Sequence, residues 1–337
     1  MAQPVQSVQD AVDRAAEDAG FSGVVRVDRS GRTELCTAYG LADRAHEVPN
    51  TVDTLFATAS GAKTLTALVV MALVERGSLA LGTTARSLLR DDLPLVADDV
   101  TVRHLLSHRS GIGDYLDEAA VDVRDHVLRV PVHQLATTED YLPVLAGHRT
   151  VSPAGERFAY NNAGYVLLAV LAERAADEDY HALVRTLVCE PAGMVDTAFL
   201  RSDELPGRAA VGYLSVEGLR TNVLHLPVRG SGDGGVYSTA ADVSAFWEAL
   251  LAGRVVSPAS LAEMVRPHSD WPEESRRYGL GLHLQPTGDG IFLEGYDAGV
   301  SFASLHWPSS ATTCTVISNW SDGAWPVVRV LSDRFAT

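Results

Sequence analysis

A chain of 337 residues with 46% apolar side chains can bury one large core or two packed together, and this is not a disordered composition. Its formal charge of -16 at pH 7 argues against nucleic acid or an anionic membrane surface as a partner. Cys36, Cys189 and Cys314 are odd in number and far apart, so they imply no disulfide framework or metal spacing, and a soluble cytoplasmic protein with reduced thiols is expected.

Met1 to Gln6 lacks a basic segment followed by an apolar one, so no export signal is expected. Val8 to Ala19 has helical spacing. Phe21 to Val27 and Thr33 to Gly40 read as strands joined by a turn at Arg29-Ser30-Gly31-Arg32. Gly61 to Arg76 reads as a helix that is apolar nearly all round and therefore central, with Ser60 just ahead of it. Its apolar run, Ala67 to Val74, is too short to span a bilayer. Val102 to Ser107 starts another helix that breaks at Gly111 and Gly113. Asp114 to Arg129 is charged and reads as a surface element, and Leu135 to Leu145 reads as helical. Tyr165 to Ala176 is a second apolar helix.

Gly230-Ser231-Gly232-Asp233-Gly234-Gly235 is no phosphate loop, since it follows no strand and lacks Lys-Ser/Thr. It reads instead as backbone forced close to something bulky. Val243 to Leu251 is helical. Gly279 to Leu284, Gly290 to Leu293, Val300 to Trp307 and Thr312 to Asn319 read as strands, and Val327 to Phe335 closes the chain as a helix. Strands at both ends with helices between them give an α+β (α/β) fold: one antiparallel sheet with flanking helices, and an inserted, mostly helical subdomain. The division expected is 1–56 with 275–337 for the sheet, and 57–274 for the helices.

Chemistry concentrates at Ser60-x-x-Lys63. Lys63 is the only lysine in the chain; every other cationic chain position is arginine. Arginine cannot lose its proton in a protein, whereas a desolvated lysine can. Ala62, Leu65, Ala67 and Leu68 would strip water from the Lys63 amine. On a helix, positions three apart share a face, so Lys63 can take the proton of a nucleophilic Ser60. An N-cap serine beside an ordinary helical lysine is the alternative. His104 and His108 have ligand spacing on a helix, but no Glu follows His104, so neither a metal nor a cofactor is expected.

Ser60-x-x-Lys63, Tyr160-x-Asn162 and Gly295-x-x-x-Gly299 together resemble, in order and spacing, the three motifs of the serine β-lactamase and penicillin-binding protein superfamily. The resemblance is to its class C branch, with its esterases, D-amino-acid peptidases and D-alanyl carboxypeptidases. Leu105 to Gly111, Pro153 to Asn162 and Gly234 to Asp242 are also similar to that branch, so the likeness covers roughly residues 10 to 320. It implies a β-lactamase/transpeptidase-like fold in which Ser60 forms an acyl-enzyme that water clears. Ser60 N–H would be one oxyanion donor and a backbone N–H near Tyr296 the second. Tyr160 would lie by Lys63 and Ser60 as base or acid, coupled to Lys63. Asn162 would hold substrate or orient Lys63.

The third motif departs from the family. Where the strand carries Lys, His or Trp two residues before the first glycine, this chain has Leu293, followed by Glu294 and Gly295. Leu293 cannot hold a carboxylate, and Glu294 and Asp297 would make the rim acidic, with Arg109 or Arg229 as replacement cations. The expected substrate is therefore a small neutral or amine-bearing ester or amide. A sensor that acylates without turnover, an idle scaffold and an acyltransferase share these motifs and stay open as alternatives. The sequence assigns no oligomeric state.

Overall fold

The computed structural model describes residues 7–116 and 121–335, so the reading of Met1 to Gln6 lies outside the described residues, as does part of the charged segment after Asp114. Ser7 caps the first helix, α1 (Val8–Ala19), by accepting from Asp10 N–H, and Gly20 ends it at a φ of 60°. Two strands follow, β1 (Gly23–Arg29) and β2 (Arg32–Tyr39). The chain then enters a largely helical stretch containing α2 (Ala62–Glu75), α3 (Asn162–Ala176) and α4 (Ala240–Leu251). It returns through β3 (Ser269–Trp271), β4 (Arg276–Tyr278), β5 (His283–Leu284), β6 (Ile291–Asp297), β7 (Val300–Trp307) and β8 (Thr312–Ser318), and closes with α5 (Ala324–Phe335).

The eight strands form one sheet in the order β2-β1-β8-β7-β6-β5-β4-β3, and each neighbouring pair is antiparallel. The two ends of the chain meet where Gly23 pairs with Ser318 and Arg29 with Thr312. Alternation along the strands sorts the side chains into two cores. Val25, Val27, Ala303, Leu305, Cys314 and Val316 pack against α1 and α5. Val24, Phe302 and Ile317 point the other way, into the core shared with α2, α3 and α4.

Residues 62 to 73 of α2 and 162 to 172 of α3 are all buried, and the two helices pack together at the centre. Over these residues no polar face is needed, because none of them meets bulk water. The polar groups of α2 therefore need internal partners: Thr64 Oγ1 donates to Gly281 O at 2.7 Å, and Thr66 Oγ1 lies 2.5 Å from Gly232 O.

Several expected elements shift. The strand expected at Gly279 to Leu284 is split, because Gly279 to Leu282 is the turn between β4 and β5, with Gly281 at φ 81°. Strands β3 and β4 were not expected at all. Leu135 to Leu145 is not one helix: a 3-10 turn, Val132–Gln134, ends just before it, and it holds another 3-10 turn at Thr138–Tyr141 and a single helical turn at Leu142–Leu145. Pro143 at the start of that turn gives no amide to an earlier one.

Candidate active site

The turn before α2 delivers Ser60. Thr58 N–H donates to Val236 O at 2.9 Å, and Gly61 N–H donates back to Thr58 O. Ala59 has a φ of 45°, in the left-handed region that costs a residue with a Cβ roughly 1–2 kcal/mol. That strain was not legible in the sequence, since alanine is a poor sign of a left-handed residue. It places Ser60 in the 3-10 turn Ala59–Gly61, which runs directly into α2.

Lys63 is 2% exposed. Its Nζ donates to Ser60 Oγ at 2.8 Å, to Asn162 Oδ1 at 2.7 Å and to Asp233 O at 2.9 Å. Three acceptors converge on a group with three donors, so the buried amine is satisfied with Ser60 as one of its partners. A planar guanidinium cannot make the same convergent set. The Tyr160 ring centroid lies 5.0 Å from the same Nζ. Tyr160 stacks on Trp271 at 5.5 Å and packs 4.4 Å from the His108 ring.

Asn162 is placed by the start of α3. Asn161 caps that helix by accepting from Gly164 N–H at 2.6 Å. Asp114 reinforces it, its two carboxylate oxygens accepting from Asn162 N–H at 2.6 Å and Ala163 N–H at 3.0 Å. Burial pushes the Asp114 carboxyl up to about 6, against those amides and the Lys63 charge, which pull it down. Asp114 therefore opens no solvated surface element, as its charged neighbourhood suggested, but abuts the site. Tyr115 next to it donates its hydroxyl to the Asp233 carboxyl. Desolvation raises that carboxyl, while Lys63 and Tyr115 lower it.

The glycine-rich loop does run close to its neighbours, but these are backbone and a small side chain and not the bulky group expected. A Cβ on Gly232 would lie 2.9 Å from Ala169 Cβ in α3, and one on Gly230 would lie 2.5 Å from Gly235 Cα. His108 acts as a hydrogen-bonding core residue, its Nδ1 accepting from Asn161 N–H at 3.0 Å. Burial drives His108 and His283 well below the usual imidazole range, so both rings beside Tyr160 are neutral at neutral pH. His104 caps its own helix: Thr101 N–H reaches its Nδ1 at 3.3 Å.

Strand β6 supplies the third motif. A Cβ on Gly295 would land on the Thr58 carbonyl, 2.9 Å from Ser60 N and 3.0 Å from Gly61 N, so only glycine lets the strand lie this close to the turn. Beyond Phe292, β6 pairs with β7 on one side only, which leaves an open edge from Leu293 to Asp297. Leu293 itself is buried in the same core as Leu65 and Phe302 and lines neither lobe of the cleft. Its expected contact with substrate is therefore corrected: strand alternation turns it into the core. The acidic rim expected from Glu294 is also corrected, because Arg276 of β4 is ion-paired with it. Arg109 and Arg229 do not replace the missing cation. Arg109 donates to Gly155 O and Glu156 O, Arg229 Nε donates to Phe199 O, and neither lines the cleft.

Two lobes meet at Ser60 and Tyr296. One is mainly apolar, with Leu116, Leu200, Val223, Leu226 and Val228 in its wall and Asp297 among its lining residues. The other is more open to solvent and holds Tyr160, Trp271, Trp325, Glu274 and the Arg276–Glu294 pair. Asp114, Tyr115, Asp233, Trp271 and Arg276 were not singled out as site residues. The one signal that could have found any of them is an acid set among four glycines at Asp233. Among the described residues no three His, Cys, Asp or Glu side chains gather as a metal site, and no helix is long and apolar enough to cross a membrane.

Comparison with known proteins agrees with this geometry. Esterase EstB of Burkholderia gladioli is 34% identical over 289 residues, 76% of this chain and 73% of that protein. The putative penicillin-binding protein PbpX of Bacillus subtilis (strain 168) is 26% identical over 275 residues, covering 80% of this chain but only 64% of its own length. The crystal structure of a penicillin-binding protein from Bacillus halodurans superposes with a TM-score of 0.90 at 33% identity, over 96% of this chain and all of that one. The sequence pattern of the family described as Beta-lactamase matches residues 8–324, and the chain belongs to that family.

Proposed function

We propose that the chain is a serine hydrolase that cleaves small esters or amides through an acyl-enzyme on Ser60, and that its preferred substrates carry no carboxylate beside the scissile bond. The observation that carries the reading is the 2.8 Å contact from Lys63 Nζ to Ser60 Oγ within a closed set of three acceptors. The form that accepts a proton is the amine whose two N–H groups donate to Asn162 Oδ1 and Asp233 O and whose lone pair faces Ser60 Oγ. Ser60 Oγ attacks the carbonyl carbon while its proton passes to this amine in the coupled Lys63–Tyr160 pair. The same pair returns that proton to the departing alcohol or amine. Water, losing its proton to the pair, then cleaves the Ser60 ester and frees the serine. Ser60 N–H and an amide on the open edge of β6 near Tyr296 stabilise the oxyanion.

Tyr160 lies in the lobe with Trp271, so the leaving group departs there and the apolar lobe holds the acyl part. Leu293 offers no cation, and Arg276 is already matched by Glu294, so neither is free to hold a substrate carboxylate. Free Cys36, Cys189 and Cys314 fit a reducing compartment, and we place the chain in the cytoplasm.

The test is intact mass spectrometry and turnover with p-nitrophenyl esters, D-aminoacyl amides and carboxylate-bearing β-lactams. We expect an adduct on Ser60, and neutral or amine-bearing substrates turned over at least about tenfold faster than β-lactams, the discrimination that about 1.4 kcal/mol gives. Lys63→Arg is expected to abolish turnover in a folded protein. Retained activity in that variant, or β-lactams as the best substrates, would overturn the corresponding half of the reading.

A further inference from the structure

Two adjacent residues hold both of the acceptors that Lys63 uses besides Ser60. Asp114 fixes Asn162 through the backbone at the head of α3, and Asn162 gives its Oδ1 to Lys63. Tyr115 holds the Asp233 carboxyl, and Asp233 gives its main-chain carbonyl to Lys63. The first arm is a capped helix start and is stiff by construction. The second arm is a loop containing Gly230, Gly232, Gly234 and Gly235, whose backbone has more freedom than any other sequence would give it. Upstream, His181 Nε2 meets Gly230 O at 2.8 Å and Thr66 Oγ1 meets Gly232 O at 2.5 Å. From Gly232 to Gly235 the only side chain is that of Asp233. Its carboxyl is thus the one side-chain handle on the peptide that faces Lys63.

We propose that Tyr115 and Asp233 are positioning residues: together they hold the peptide carbonyl that completes the acceptor set of Lys63, and so aim its amine at Ser60 Oγ. This rests on the reading of Ser60 as nucleophile and Lys63 as its proton acceptor. Without the anchor the carbonyl is free to turn away, and the four-carbon stem of Lys63 follows whichever acceptors remain. A misplacement of about 1 Å at a reacting group can cost about a hundredfold in rate.

The experiment measures the rate at which a fluorophosphonate labels Ser60, read by intact mass, in wild type, Tyr115→Phe, Asp233→Ala, the double variant and Asp233→Asn, with a melting curve for each. Tyr115→Phe and Asp233→Ala should each slow labelling by roughly ten- to a hundredfold. The double variant should be no slower than the slower single one, because both changes cut the same tie. Asp233→Asn should regain most of the rate, since its amide oxygen still accepts from the Tyr115 hydroxyl. If Asp233→Ala does not fold, Tyr115→Phe, which removes a single oxygen, and Asp233→Asn decide the matter. Labelling of Tyr115→Phe at the wild-type rate, losses that multiply in the double variant, or Asp233→Asn as slow as Asp233→Ala would each overturn the positioning role. A wild-type protein that is folded yet never labelled on Ser60 would remove the nucleophile itself, and this role with it.

Discussion

Asp114 is the residue whose chemistry departs furthest from what its letter suggests. A carboxyl that titrates near 3.8 in a model peptide is raised to about 6 here, chiefly by burial. The folded state therefore binds this proton more tightly than the unfolded one. Folding stability from this group is greatest below the unfolded value and declines as pH rises between about 4 and 6, because there the native state holds more protons than the unfolded chain. At neutral pH the burial of the charge costs on the order of 3 kcal/mol. That figure is what remains after the two α3 N–H groups, which Asp114 accepts, have offset part of the desolvation. Asp114→Asn keeps the shape but has nothing to titrate, and its amide nitrogen cannot accept from the second N–H. We expect the variant to be less stable than wild type at pH 4 and to close or reverse that gap by pH 7. Urea unfolding at both pH values checks this, and parallel stability curves would mean that Asp114 titrates as an exposed carboxyl does. Lys63 stood out in the sequence because it is unique there, and Ser60, Tyr160 and Asn162 because motif spacing survives in one dimension. Asp114 and Tyr115 did not, because a charged segment looks the same on paper whether it faces water or a helix start.

At the scale of elements, the turn from Thr58 to Gly61 and the strand β6 are fitted to each other more tightly than side chains would permit. Gly295 has no φ requirement; what it supplies is room, with Thr58 O, Ser60 N and Gly61 N all against the place a Cβ would occupy. None of these is the end of a flexible side chain, so a methyl group there must move backbone. Gly295→Ala should push β6 and the nucleophile turn apart. We expect Ser60 labelling to fall by about a hundredfold and the melting temperature to drop by several degrees. Wild-type labelling in that variant would mean that the open edge of β6 takes no part in presenting Ser60. The same elements show where sequence legibility ends. Val300 to Trp307 was readable as a strand because it is mainly apolar and bounded by Gly299 and Pro308, and it is buried throughout. Leu293 was readable as a break from the family pattern but not as a core residue, since which face of β6 is buried depends on the turn that packs on it. Strands β3 to β5 are two or three residues long and pair across a tight turn. Periodicity cannot appear in so short a run, so Trp271 and Arg276 stayed invisible as parts of a site.

Over the whole molecule, the N-terminal strands pair beside the C-terminal ones, and the site lies where that sheet meets the buried helices α2 and α3. The class of fold could be inferred from where strand and helix patterns fall along the chain, but the order of the eight strands could not. The cleft sits in a molecule of net charge -16, so its local pairing of Glu294 with Arg276 is set within a long-range negative field. Such a field concentrates cations near the mouth and thins out anions, and added salt removes both effects. Three esters of one shape, differing only in a remote ammonium, hydroxyl or carboxylate group, separate this field from local contacts. Between about 0.01 M and about 1 M salt the screening length shrinks from about 30 Å to about 3 Å. Over that range kcat/KM should fall several-fold for the ammonium ester, rise for the carboxylate ester and hold nearly constant for the neutral one. The preference that survives at high salt then belongs to the cleft itself: Leu293 withdrawn into the core and Arg276 occupied by Glu294 should still leave the carboxylate ester the poorest of the three. If salt instead raises the carboxylate ester to the level of the neutral one, its exclusion comes from net charge alone, and the leucine in place of the family's cation does not set specificity.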